Sequence, residues 1–202
     1  MPSLSGLFDY FPELEVIPVD KIIGRLNRRD DSKLLTNELG NRILYPQLIP
    51  ENESQLTLDW AILQSYLAMS PSRYYDKHLN RFYIHEMFLP RFLSLKQLVL
   101  TYIEVFHPQG IVTLVLRTEN LGDKSLGTLL RPTVLGNQGT VDLVMKDKTY
   151  SIKPGTVLLI PNRQRRVDFR FQSNVAQLGG KNSLLAEVPG GEVGLIVDTR
   201  GG

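Results

Sequence analysis

The chain has 202 residues, 42% of them hydrophobic and 22% charged, with a formal net charge of +2 and no cysteine. That length suits one domain or two small ones with a sizeable core, and so small a charge does not by itself argue for nucleic acid or membrane. The absence of cysteine excludes disulfides and thiol chemistry and fits a cytoplasmic location, while no apolar run approaches the roughly 20 residues that a membrane helix needs.

The first residues carry acids within their apolar part and no basic segment, so they do not read as a signal peptide. Residues 1–20 alternate short apolar pieces with Pro2, Pro12 and Pro18, giving loop and one short strand at 14–17. A short helix weakened by Gly24 is expected at 20–29. There Arg25, Arg28 and Arg29 meet Asp30 and Asp31. The alternatives are a phosphate or acidic-partner patch and a solvated helix end with local ion pairs; the second is adopted, because such surface pairs contribute only ~0–1 kcal/mol.

Residues 40–50 read as a loop pinned by two prolines. Asn52 can cap a helix after it, with Gln55 placed to reach back. Leu56, Trp60, Leu63 and Leu67 form one apolar stripe along that helix, and Ser70-Pro71 stops it, since a residue before proline avoids helical angles. Residues 72–91 then concentrate aromatics, bases and two of the three histidines. Interleaved aromatics and bases can hold nucleic acid by stacking and phosphate pairing. The reading adopted is a connector running into a strand at 81–85, with Asp76 and Glu86 diluting the charge. His85-Glu86 resembles half of a zinc motif, but Leu89 stands where the second histidine would be.

A second amphipathic helix is expected at 94–106, capped by Ser94 and Gln97 and apolar on the face of Leu98, Val99, Tyr102, Ile103 and Phe106. Pro108 to Gly110 ends it, with His107 placed where positive charge favours the helix dipole. The continuous apolar run 111–116 is a buried strand. Strand near 82–84, helix and buried strand together make a βαβ unit.

From about residue 133 the texture changes. Strands are expected at 140–145, 150–152, 156–160, 166–171, 184–188 and 193–197, separated by Gly, Pro and Asn turns, a pattern of antiparallel sandwich or barrel. The stretch 184–202 reads as a buried hairpin turning at Pro189-Gly190-Gly191, with glycines where backbones come close. The sequence thus divides into 1–135, a helical α/β region, and 136–202, a β-rich domain; the fold class is α/β (α+β), with two amphipathic helices in a helix–strand layer and an antiparallel sandwich or barrel after it.

Chemical signatures are missing. There is no P-loop, no dinucleotide fingerprint and no nucleophile elbow. Three histidines without cysteine do not suggest zinc. No catalytic residue, metal site or cofactor is assigned. Lys153, Arg163, Arg165 and Arg166 are candidate anion ligands, with Arg170 nearby, the alternative being edge-strand protection by charge. Asp198 and Arg200 are read as a structural polar pair, Asp198 capping the exit of its strand; the alternative, an Asp at a phosphate site, would need loops that this sequence does not show.

Three collinear segments carry a resemblance. NRILYPQLIPENESQLTLDWAILQSYL (41–67) resembles a basic-Leu-Pro lead-in to a long helix. LSLKQLVLTYIEVFHPQGIVTLVLRTENLGDKSLGTLL (93–130) is similar to a leucine-rich helix, a Gln-Pro-x-Gly turn and a buried strand. AEVPGGEVGLIVDTRGG (186–202) is similar to a Gly-Gly hairpin ending in Ile-Asp-x-Arg-Gly. Together they resemble the glutamate mutase-associated MutL-type family, distinct from the mismatch-repair protein of that name. The resemblance implies the latter part of an actin-like ATPase fold with a C-terminal β region, and an accessory role toward adenosylcobalamin mutases. It covers residues ~40–202, so the half with the phosphate loops has no counterpart here. The stretch matching the family's Gly-rich loop, YIHEMFLP at 83–90, has no glycine through which backbone could approach a phosphate, and Arg117 stands where the family has Asp.

The expectation is therefore a non-catalytic interaction or accessory protein with a protein partner. Its alternatives are a partner that completes a split actin-like ATPase, and an anion- or nucleic-acid-binding module. Membrane association is not expected and nucleic acid is not favoured.

Overall fold

The computed structural model describes residues 37–42, 48–69, 71–91, 95–118, 122–146 and 148–200. The strand expected at 14–17, the helix at 20–29 and the arginine cluster beside it lie outside the described residues. The chain separates into two compact units, one containing residues up to 69 with 90–93, the other 70–89 with everything from 94 onward.

In the first unit residues 37–42 are helical, so the loop expected from residue 40 begins later. The reason is Arg42. Its guanidinium, 3% exposed as a residue, donates to both carboxylate oxygens of buried Asp59 at 3.0 and 2.9 Å. Asp59 belongs to α1 (Glu53–Met69). The cap of α1 forms with a shift: Asn52 Oδ1 accepts the Gln55 N–H at 3.0 Å, and the Gln55 side chain reaches back one residue further than a capping box, to the Glu51 N–H at 2.8 Å. Leu63 and Leu67 of the expected stripe are buried, whereas Leu56 and Trp60 are half-buried. Burial centres on Asp59, Ile62 and Leu63, so the ion pair turns the inward face away from the stripe that apolarity alone picks out.

The second unit begins with α2 (Pro71–Tyr74), β1 (Tyr75–Asp76) and β2 (Arg81–His85). A 3-10 helix, Glu86–Arg91, follows, then α3 (Leu95–Phe106) and β3 (Gly110–Thr118). β2 and β3 are parallel, Phe82 opposite Leu114 and Ile84 opposite Leu116, with α3 as the crossover. This is the βαβ unit that the helix-then-apolar-run pattern predicts. The buried Tyr102 of α3 packs against Phe82, ring centroids 5.5 Å apart, and donates its hydroxyl to the Tyr83 carbonyl at 3.0 Å; burial raises its phenol pKa well above the ordinary value.

β4 (Gly122–Arg131) pairs antiparallel with β3, with an irregularity between Leu114 and Val115 that leaves Leu126 without an opposite number. The short β5 (Thr133–Val134) follows, then β6 (Val141–Met145), β7 (Lys148–Ile152), β8 (Val157–Ile160) and β9 (Arg166–Ser173). β10 (Ala176–Gln177), β11 (Ser183–Pro189) and β12 (Gly194–Asp198) complete the chain. A six-stranded sheet has the order β1-β2-β3-β4-β12-β8, a four-stranded antiparallel sheet the order β11-β9-β6-β7, and β5 pairs with β10. The fold is α+β. The four-stranded sheet is open, with β11 and β7 at its edges, so it is no closed barrel.

One core joins the two sheets. Leu143, Phe169 and Phe171 of the four-stranded sheet meet Leu130, Leu195 and Val197 of the six-stranded one. β9 alternates strictly between exposed and buried residues, as a strand with one wet face must. Each fully buried Phe contributes on the order of 1.5–3 kcal/mol.

Two expectations change. β11 and β12 are not a hairpin: β11 pairs with β9, while β12 runs parallel to β4 and antiparallel to β8. Pro189-Gly190-Gly191 carries the chain from one sheet to the other. For the same reason the six-stranded sheet crosses the division placed at 135/136, since β8 and β12 lie beside β4. The ten-residue β4, which the polar lead of Gly122-Asp123-Lys124-Ser125 hides in the sequence, provides the bed for β12.

Candidate anion-binding groove

The turn after β6 and the loop between β8 and β9 enclose a groove of about 440 Å³. Lys146 closes the β6–β7 turn in a left-handed conformation, φ +48°, and Lys148 opens β7. From the other side comes Arg163. The loop 161–165 is shaped locally and from afar: Asn162 Oδ1 accepts the Gln164 N–H at 2.9 Å, as Asn does in turns, and the Arg165 carbonyl accepts the Gly190 N–H at 3.0 Å. The floor is apolar, formed by Met145, Ile160 and Val167. Among the described residues three cations thus line the groove with one carboxylate, Asp168, beside apolar side chains.

Of the four cations named from sequence, Arg163 alone lines this groove. Lys153 lies beyond the far end of β7 from Lys148, about 16 Å away at the rise of an extended strand. Its carbonyl accepts the Thr199 hydroxyl at 2.9 Å and the Thr156 hydroxyl at 2.7 Å. Arg165 is exposed in the loop. Arg166 pairs with Glu187 on the neighbouring β11. Lys146 and Lys148 are not among the cations that the sequence singles out. What brings them to Arg163 is that β7 and β8, consecutive in sequence, enter different sheets, and local spacing carries no sign of that.

Asp198 and Arg200 do meet. Asp198 is fully buried and accepts the Arg200 N–H at 3.1 Å, its Nε at 2.9 Å and its Nη2 at 3.1 Å. Sequence reading missed two further members: Arg131 Nε of β4 lies 3.7 Å from the same carboxylate, and Arg200 also reaches Glu104 of α3 at 3.6 Å. The hydrogen bond to Asp198 raises the Arg200 pKa still further. Arg131 additionally donates to the Pro108 carbonyl at 3.2 Å. The cluster joins β12, β4, α3 and the turn after α3.

Among the described residues no group of His, Asp and Glu is placed to hold a metal ion, and no helix is long and apolar enough to cross a membrane. No family model matches the chain, and neither a curated protein nor a solved structure matches it.

Proposed function

We propose that the chain is a non-catalytic accessory protein that takes an acidic segment of a protein partner into the groove between the β6–β7 turn and the 161–165 loop. The observation that carries this reading is the pairing of Lys146, Lys148 and Arg163 with an apolar floor. Exposed cations alone give weak attraction, ~0–1 kcal/mol each; an apolar side chain seated on Met145 and Val167 adds burial that simple anions lack. The favoured occupant is therefore a peptide that alternates carboxylates with large apolar residues. The resemblance to the MutL-type family supports an accessory role of the same kind, with a mutase as the partner, and a cytoplasmic location accords with the cysteine-free sequence.

The test is fluorescence anisotropy with a labelled peptide of alternating Glu and Leu. Reversing Lys146, Lys148 and Arg163 to Glu is expected to weaken binding by more than about tenfold, since three contacts of roughly 0.5 kcal/mol are lost and replaced by repulsion. Unchanged affinity in that variant, with its circular dichroism intact, removes the proposal. A parallel calorimetric titration with MgATP is expected to show no saturable heat; saturable binding would favour the split-ATPase alternative.

A further inference from the structure

The stretch 72–91, read from sequence as a connector, builds a second groove in the folded chain. Arg73, Lys77 and His78 stand around a space of about 660 Å³ together with Tyr83 of β2 and Arg117 of β3. Tyr83 is opposite Val115 in the parallel register, so Arg117, two residues on, is its diagonal neighbour on the same face. The Arg117 guanidinium carbon lies 4.0 Å from the centre of the Tyr83 ring. Its Nε is turned to Asp123 Oδ1 at 3.5 Å. A guanidinium set over a ring and still 40% exposed leaves room for a second flat partner, so a base can stack on it. The turn below is fixed rather than loose. Asp76 Oδ1 accepts the N–H groups of His78 and Leu79 at 2.9 and 3.0 Å, and Tyr75 donates its hydroxyl to Asn80 Oδ1 at 2.7 Å.

We propose that this groove binds single-stranded nucleic acid, one base stacking on the outer face of Arg117 while Arg73 and Lys77 hold the flanking phosphates and His78 adds a donor. Separate recognition of a plane and of charges set around it is what a single strand supplies and an acidic peptide does not. His85, whose register partner is Arg117, reports the local field. Burial, then Arg117 and Arg73, push its pKa down to about 4, with Asp123 and Glu86 opposing. Its Nε2 is buried and has no hydrogen-bond partner among the described residues. A phosphate placed beside those arginines raises that pKa, because added negative charge favours the imidazolium. This site is independent of the groove at Arg163, and the experiment separates the two.

The full chain is titrated into a fluorescein-labelled oligothymidylate of about eight nucleotides, between about 50 and 200 mM salt. Binding is expected to saturate and to weaken with salt at a log–log slope of about −0.7 for each phosphate held. Arg117→Lys keeps the charge but loses the plane, and is expected to weaken binding roughly tenfold. Lys77→Ala, in the exposed turn, is expected to flatten the slope by about 0.7, which keeps a measurement in hand if Arg117→Lys disturbs the sheet. Histidine NMR is expected to show the His85 pKa rising when the oligonucleotide is added. The Lys146, Lys148 and Arg163 reversal is expected to bind the oligonucleotide as the wild type does. No saturable binding at the lower salt, wild-type affinity in Arg117→Lys, or equal competition by polyglutamate overturns the proposal.

Discussion

Two connections carry the chain from the four-stranded sheet to the six-stranded one, and on paper they look alike. Between β7 and β8 lies Pro154-Gly155; between β11 and β12 lies Pro189-Gly190-Gly191, with Gly194 opening the next strand. In the structure they are opposites. Gly155 is exposed, and a Cβ added there meets nothing within 4 Å. The second connection is threaded through packed backbone. Val193 donates its N–H to the Leu126 carbonyl at 2.7 Å, at the irregularity in β4, and Gly191 donates to Asn162 at 3.3 Å. A Cβ on Gly194 would press against the Ile160 carbonyl and lie 2.6 Å from the Asn162 nitrogen. Both glycines have positive φ, +84° and +79°, so the difference is one of neighbours and not of conformation. A Pro-Gly pair marks a turn; only the sheets on either side decide whether the turn has room.

That contrast sets the largest expected effect. Gly155→Ala incurs only left-handed strain, roughly 1–2 kcal/mol. Gly194→Ala incurs the same strain and must also move the backbone of two strands, so a loss above ~4 kcal/mol is expected, a sizeable part of the stability of an ordinary domain. Thermal unfolding of the two variants side by side checks it. Equal losses would mean that the crossover is not a close-packed element.

The buried carboxylate at the end of β12 comes next. Asp198→Ala leaves Arg131, whose side chain is 6% exposed, without its carboxylate, and breaking such a pair from one side costs about 3–5 kcal/mol. Arg200→Ala removes a partly exposed partner and is expected to cost ~1 kcal/mol. Urea unfolding measures both. If either substitution alters ligand binding while leaving stability untouched, the cluster is a binding site and not an anchor.

Much of this was written in local pattern. The strict alternation of 166–172 and the turn residues around it mark β9 and its neighbours, and the run 111–116 after a capped helix announces β3. What was not legible is non-local. Leu184 to Val188 and Val193 to Val197 make a plausible hairpin because adjacent strands usually pair; that β12 instead inserts between β4 and β8 depends on residues 35 to 67 positions earlier in the sequence. Arg42 is a charged residue in a short segment, and nothing before Asp59 signals that it will be buried. The groove at Arg163 fails to show for the same reason, since its lysines flank the β6–β7 turn while its arginine lies in the loop after β8, a strand of the other sheet.

The smallest expected effect concerns the exposed cation that the groove does not use. Arg166 pairs diagonally with Glu187 across β9 and β11, while Glu187 lies directly opposite Asp168. Like charges directly opposite destabilise by about as much as a favourable cross-strand pair stabilises. Glu187→Gln therefore removes an attraction to Arg166 and a repulsion from Asp168 together. With both partners of the ion pair substantially exposed, a net change within ~0.5 kcal/mol is expected, shrinking further at high salt. Urea unfolding at low and high ionic strength reads it. A loss well above 1 kcal/mol that persists in salt would show β11 to be held by this pair instead of by Val188 and the ladder to β9, and would make the edge of the four-stranded sheet as sensitive as the crossover that follows it.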